Sequence, residues 1–115
     1  MKHLLFIIIL SALCGCDNSY KDDKPVDLIP QPEMIQVLAD IHIADAVAEQ
    51  KYSQASPNLP LTVALYNRIY QNHHITAAQY KSSYQYYEMH AQQMDNMYTQ
   101  IITELSKREA VMNKK

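Results

Sequence analysis

The residues of this chain that could do chemistry are the pair Cys14 and Cys16, the acids Asp40 and Asp45 with His42 between them, the pair His73 and His74, and the cluster Tyr86, Glu88 and His90. A disulfide between Cys14 and Cys16 would close a ring with one residue inside it, whereas native bridges need Cα atoms ~4.4 Å or more apart in a suitable orientation. A metal site there would need further thiolate or imidazole ligands at familiar spacings, and none follows. Asp45 poses a different question. At helical spacing it falls inside an apolar stripe, beside Met34 and Leu38 in angle, with His42 on the edge of that stripe one turn earlier. An acid in such a place needs a partner. His42, a tyrosine hydroxyl from the third helix or Arg68 would serve structurally; the functional reading is a groove lined by Asp45, His42, Tyr84 and Tyr87 that receives a ligand or peptide. Asp40 and His42 lie ~160° apart on a helix and cannot share a metal. His73 and His74 close the second helix, where partly charged imidazoles favour the dipole, a capping role rather than a metal one. Glu88, His90 and Tyr86 read as a solvated face.

The two cysteines find their reading in what surrounds them. Met1-Lys2-His3 is a short basic start, and Leu4 to Leu13 is about ten apolar residues, too short for a ~20-residue membrane span and the length of a signal-peptide core. Leu13-Cys14-Gly15-Cys16 resembles the bacterial lipobox, with Leu three residues before the modified cysteine and small residues between. Cys16 fits as the acylated N-terminus because Gly15 precedes it. Cys14 does not, because bulky Leu13 would then stand before the cut. Removal of residues 1–15 would leave 100 residues without Gly, Phe or Trp, in which nine tyrosines supply every aromatic ring. Phosphate-cradling loops need glycine, so P-loop and dinucleotide sites are excluded, and no cofactor is expected. Nine Lys and Arg against twelve Asp and Glu leave that mature chain at −3, with no basic patch for nucleic acid.

The elements that must hold these residues are helical. Residues 16–31 read as the lipidated cysteine and a flexible acidic tether with two prolines, and the domain proper as 32–115. Pro32 and Glu33 suit a helix start, and Met34, Val37, Leu38, Ile41, Ala44 and Ala48 form one apolar stripe over about 32–52. SQASPNLP (53–60) breaks it. A second helix over about 60–73 brings Leu61, Leu65, Tyr66 and Ile69 to one side. Thr76-Ala77-Ala78-Gln79 is a capping box. From it runs a seam of Tyr80, Tyr84, Tyr87, Ala91, Met94, Tyr98, Ile101 and Leu105, spaced 4-3-4-3-4-3-4, which predicts one helix over about 77–108, ~45 Å long. The expected fold is all-α, a small three-helix domain with a long C-terminal helix whose last turns overhang or meet another chain.

Met34-Ile35, the run Leu38-Ala39-Asp40-Ile41-His42-Ile43-Ala44-Asp45-Ala46, Ile75-Thr76 ahead of Tyr80 and Ser83, then Tyr86-Tyr87, Tyr98 and Leu105 resemble the Bacteroidota lipoprotein family called domain of unknown function 4296. The resemblance covers nearly the whole mature chain. It implies an envelope lipoprotein with a small helical domain and implies no activity. That family often has a proline after the Tyr-Tyr pair, where this chain has Met89-His90-Ala91, so the resemblance leaves room for a helix break near 90. Lys21-Asp22-Asp23 is similar to the surface-export signal of such lipoproteins.

Two functions follow as expectations. The first is a lipid-anchored interaction module in the cell envelope, at the outer membrane on its periplasmic or surface face, with an envelope protein or a second copy of itself as partner. The second is a small metal-dependent or acid/base enzyme using Asp45, His42 and a further His from 73, 74 or 90. Against the second stand the lack of a ligand motif, the absence of glycine loops and the small size of the domain.

Overall fold

The computed structural model of the chain describes residues 23–52 and 59–114. The expected signal peptide, Cys16 and the first part of the tether lie outside the described residues, as does most of the 53–60 break. Four helices follow in order: α1 (Gln31–Tyr52), α2 (Leu59–Asn72), α3 (Ala77–Met89) and α4 (Ala91–Met112). Among the described residues there is no strand, and no helix is long and apolar enough to cross a membrane.

Helix α1 is the axis on which the others pack. Every member of its expected stripe is buried, from Met34 and Val37 to Ala48, and Ile35 and Ala39 are buried as well. The stripe is therefore wider than its spacing suggested, because α1 packs against α2 on one side and the α3–α4 pair on the other. Val37, Ile41 and Ala44 meet Ile69, Leu65 and Tyr66 of α2. Met34, Ile35, Leu38 and Ala39 meet Tyr86 and Tyr87 of α3 and Met94, Met97 and Ile101 of α4. Asp40 pairs with His73, and Asp45 with Tyr66, so α1 and α2 run antiparallel.

The flexible tether expected through residue 31 ends earlier. Leu28 N–H donates to the Pro25 carbonyl at 3.2 Å, closing a turn, and Ile29 is fully buried. Its N–H donates to Ser83 Oγ at 3.0 Å, and its carbonyl accepts from the Tyr87 hydroxyl at 2.7 Å. Burying an Ile side chain stabilises by ~1.5–3 kcal/mol, so this plug belongs to the fold. Two apolar residues among prolines and acids gave no periodic signal of it.

Helix α2 ends in a Schellman motif, with His74 N–H donating to the Gln71 carbonyl (3.2 Å) and Ile75 N–H to that of Tyr70 (3.0 Å). The motif requires a left-handed residue, and His74 occupies it at φ 54°. Thr76 caps α3 as expected, its hydroxyl accepting from Gln79 N–H at 3.0 Å. The Gln79 side chain does not complete the box. It donates to the Asp27 carbonyl at 2.9 Å and so ties the N-terminal turn to α3.

The single third helix of the sequence expectation is two helices. His90, at φ −107° and ψ 73°, ends α3 and begins α4. Its N–H donates to the Tyr87 carbonyl at 3.0 Å, its Nδ1 lies 2.6 Å from the Tyr86 carbonyl, and its ring stacks on Tyr86 at 4.1 Å. Tyr86 and His90, read as part of a solvated face, form the joint instead, with Tyr86 buried. The break also shifts the buried face away from the 4-3 seam. Ser83, Tyr86 and Met97 are buried although none belongs to it, while Ala91 and Tyr98 of the seam are exposed.

Candidate functional site

Beyond Ile41 the stripe of α1 continues through Asp45, but α3 and α4 do not follow it. Asp45 and His42 are exposed, although their angle on the helix faces the bundle. Beside them runs a chain of half-buried tyrosines. The Tyr66 hydroxyl donates to Asp45 Oδ1 at 2.6 Å. Tyr66 meets Tyr70 edge-on with ring centres 6.3 Å apart, Tyr70 meets Tyr80 at 5.5 Å, and Tyr80 meets Tyr84 at 5.9 Å. Tyr98 is close enough to Tyr84 to act on its hydroxyl, and the Tyr98 ring lies 6.2 Å from that of His42. His42 and Asp45 are one turn apart on α1, which closes a circuit drawn from all four helices.

Local sequence explains why the rings converge. Tyr66 and Tyr70 are four apart on α2, as are Tyr80 and Tyr84 on α3, so each pair forms a column on its helix. The short Schellman turn between the helices sets the two columns side by side. Tyr66, Tyr70, Tyr80 and Tyr84 remain half-buried and Tyr98 is 38 % exposed, so the circuit reaches solvent.

The phenols are held un-ionised. Burial raises Tyr66 well above the ordinary tyrosine value, and the Asp45 carboxylate, through its hydrogen bond and charge, raises it further. Burial likewise raises Tyr80, with Tyr70, Tyr66, Tyr84 and Asp45 adding to it. Tyr70 is raised by burial, and Tyr84 by burial, by Tyr98 and by Glu88. A phenol in this state donates and accepts hydrogen bonds but does not serve as a base near neutral pH.

Of the expected groove, Asp45, His42 and Tyr84 come together here. Tyr87 does not: it is 2 % exposed and its hydroxyl is spent on the Ile29 carbonyl. The partner of Asp45 is a tyrosine of the second helix, not the third, because α2 is the helix that runs alongside α1 at this level. Arg68 lines a different place, an open groove of about 260 Å³ with Ile43, Val47 and Leu65. The sequence named Tyr80 and Tyr98 only as core seam, and it missed Tyr70; paired tyrosines at four-residue spacing were the available signal.

The residues of the enzyme reading are separated. His73 engages Asp40 (2.7 Å), His74 is the exposed left-handed residue that ends α2, and His90 packs on Tyr86. Among the described residues no three His, Cys, Asp or Glu side chains are grouped to hold a metal.

A second polar cluster lies elsewhere on α1, and sequence reasoning did not find it. Asp40 accepts from Arg108 (2.5 Å) and contacts His73, while Arg108 also donates to Glu104 (3.0 Å) and Gln36 (2.7 Å). Burial alone would raise the Asp40 carboxyl, but the hydrogen bonds and charges of His73 and Arg108 outweigh it and hold the group below its ordinary value. These contacts join α1, the end of α2 and α4.

The model of a family described as Domain of unknown function (DUF4296) matches residues 25–111, from the turn ahead of the Ile29 plug to nearly the end of α4. No curated protein and no solved structure matches the chain.

Proposed function

We propose that this chain, which belongs to the DUF4296 family, is a lipid-anchored interaction module of the cell envelope. The observation that carries the reading is the tyrosine corner: five rings and a carboxylate, contributed by four helices, left open to solvent. Tyrosine is favoured at protein interfaces because it offers a large, rigid, amphipathic contact for little conformational entropy. The anchor is read from Leu13-Cys14-Gly15-Cys16, with Cys16 acylated and the chain placed at the outer membrane of a Bacteroidota-type envelope. Several acyl chains on one cysteine would hold it stably, whereas a single chain binds marginally.

Two measurements test this. Labelled palmitate should enter the wild type and the Cys14→Ala variant but not Cys16→Ala; label in the last removes the anchor from the account. Crosslinking and pull-down from native membranes should recover a defined partner with the wild type and lose it with Tyr84→Ala. Recovery no different from that of an unrelated lipoprotein sinks the interaction reading.

A further inference from the structure

We propose, resting on the interaction reading above, that the corner ringed by Asp45, Tyr66, Tyr70, Tyr80, Tyr84, Tyr98 and His42 receives a cationic side chain, an arginine guanidinium or lysine ammonium, from a partner polypeptide. Of the four acids on helix α1, Asp40 and Asp45 stand five residues apart. Asp40 is met by Arg108 and by His73. Asp45, among the described residues, has the Tyr66 hydroxyl on Oδ1 and no Lys or Arg pair. The fold neutralises one acid and leaves the other facing open rings.

The surroundings of Asp45 select the sign of what binds there. Ring faces carry negative quadrupole density and attract cations within about 6 Å of their centres. The phenols are neutral, with oxygen lone pairs available to N–H donors. Glu49 lies one turn beyond Asp45 on α1, and Glu88 acts on Tyr84 from the same helix. An anion would meet a carboxylate and the negative faces of rings. An uncharged ligand would use the rings but leave the carboxylate without a counter-charge. A cation uses both, through cation–π contact and a charge-assisted hydrogen bond to the carboxylate. Ring centres 5.5–6.3 Å apart place neighbouring rings in contact, so that a cation beside Asp45 meets a continuous aromatic surface.

The experiment uses the full-length chain in neutral detergent micelles and four labelled peptides alike except at their centre, which holds Arg, Lys, citrulline or Glu. Fluorescence anisotropy at low salt gives affinity. The Arg and Lys peptides should bind and weaken as salt rises, while the citrulline and Glu peptides should not bind measurably. A preference between Arg and Lys identifies which cation the corner takes. Asp45→Asn should weaken the cationic peptides by about tenfold or more with an unchanged melting temperature, and Tyr84→Ala should weaken them as well. Citrulline binding equal to Arg, or full binding by Asp45→Asn, overturns the proposal. The two readings fail separately. If the native-membrane pull-down recovers its partner equally with Asp45→Asn, the cation assignment falls and the interaction module stands. If the Arg peptide binds through Asp45 but native membranes yield no partner, the interaction module falls and the cation site stands.

Discussion

Asp40 and Asp45 sit on the same helix, five residues apart, and the fold treats them in opposite ways. Asp40 is clasped between His73 and Arg108, whose guanidinium also holds Glu104 and Gln36, so three helices are tied at one carboxylate. Asp45 has one phenol and open solvent. The contrast shows how one acid can serve as a joint and another be left over. An ion pair across helices costs two desolvations and is returned only where geometry is good and the remaining polar atoms are satisfied, as they are around Arg108. A lone acid at the uncovered end of a stripe stays hydrated and is free to meet something else.

The largest effect should come from the core on which α1 packs. Ile101 is 1 % exposed in the cluster where α1, α3 and α4 meet, and Ile101→Asp should cost about 4 kcal/mol or more, leaving no cooperative melting transition. Gln100→Asp, on the exposed side of the same helix, should be nearly silent. A folded Ile101→Asp protein would mean that α4 packs in another rotation and that neither corner is built as described.

Next in size is the direct contrast. Asp40→Ala strands a half-buried guanidinium and an imidazole and should lower stability by about 1–3 kcal/mol in chemical denaturation. Asp45→Ala removes one exposed hydrogen bond and should cost less than about 1 kcal/mol. Equal costs would erase the distinction between joint and open site.

Acid sharpens the same comparison. Asp40 is held below the ordinary 3.8, so its folded form binds a proton less readily than the unfolded chain. The stability it contributes is full above that ordinary value and is lost as pH falls through it toward the lowered folded value. Denaturation midpoints should therefore fall from pH 5 to pH 3, and Asp40→Asn should flatten that fall while lying lower at neutral pH. An unchanged slope in the variant would assign the acid sensitivity to other carboxylates.

The smallest effect is a gain. His74 holds a left-handed conformation with a Cβ, and glycine takes that position without the steric penalty. His74→Gly should raise stability by about 0.5–1 kcal/mol, because it relieves the turn that sets the two tyrosine columns side by side. A loss instead would show that the exposed imidazole makes a contribution of its own.

How much of this was legible follows from how far apart the deciding residues are. The stripe of α1 could be read because its members recur every three or four residues, and each proved buried. Asp45 stood out for the same reason: one charge among apolar neighbours breaks a local pattern. The clasp at Asp40 could not be read, since its partners are 33 and 68 positions away and nothing local joins them. The seam from Tyr80 to Leu105 misled by its regularity. Its spacing runs unbroken through residue 90, with no Pro or Gly to mark the joint, and the contacts that turn the chain there come from Tyr86 and His90 packing on each other.

Taken alone, then, the residue order determined that the chain is helical, where its first helix starts, which side of that helix is apolar and that Asp45 interrupts it, because backbone hydrogen bonding and helical periodicity act over a few residues. Only the packing of the helices decided that Ile29 is a plug and not a tether, that Tyr87 is interior while Tyr98 reaches solvent, and that one acid is locked while the other is open. Those outcomes depend on which surface covers a side chain. Cover comes from residues dozens of positions away, whose arrival is set by the turn at His74 and the joint at His90 and is written in no local pattern.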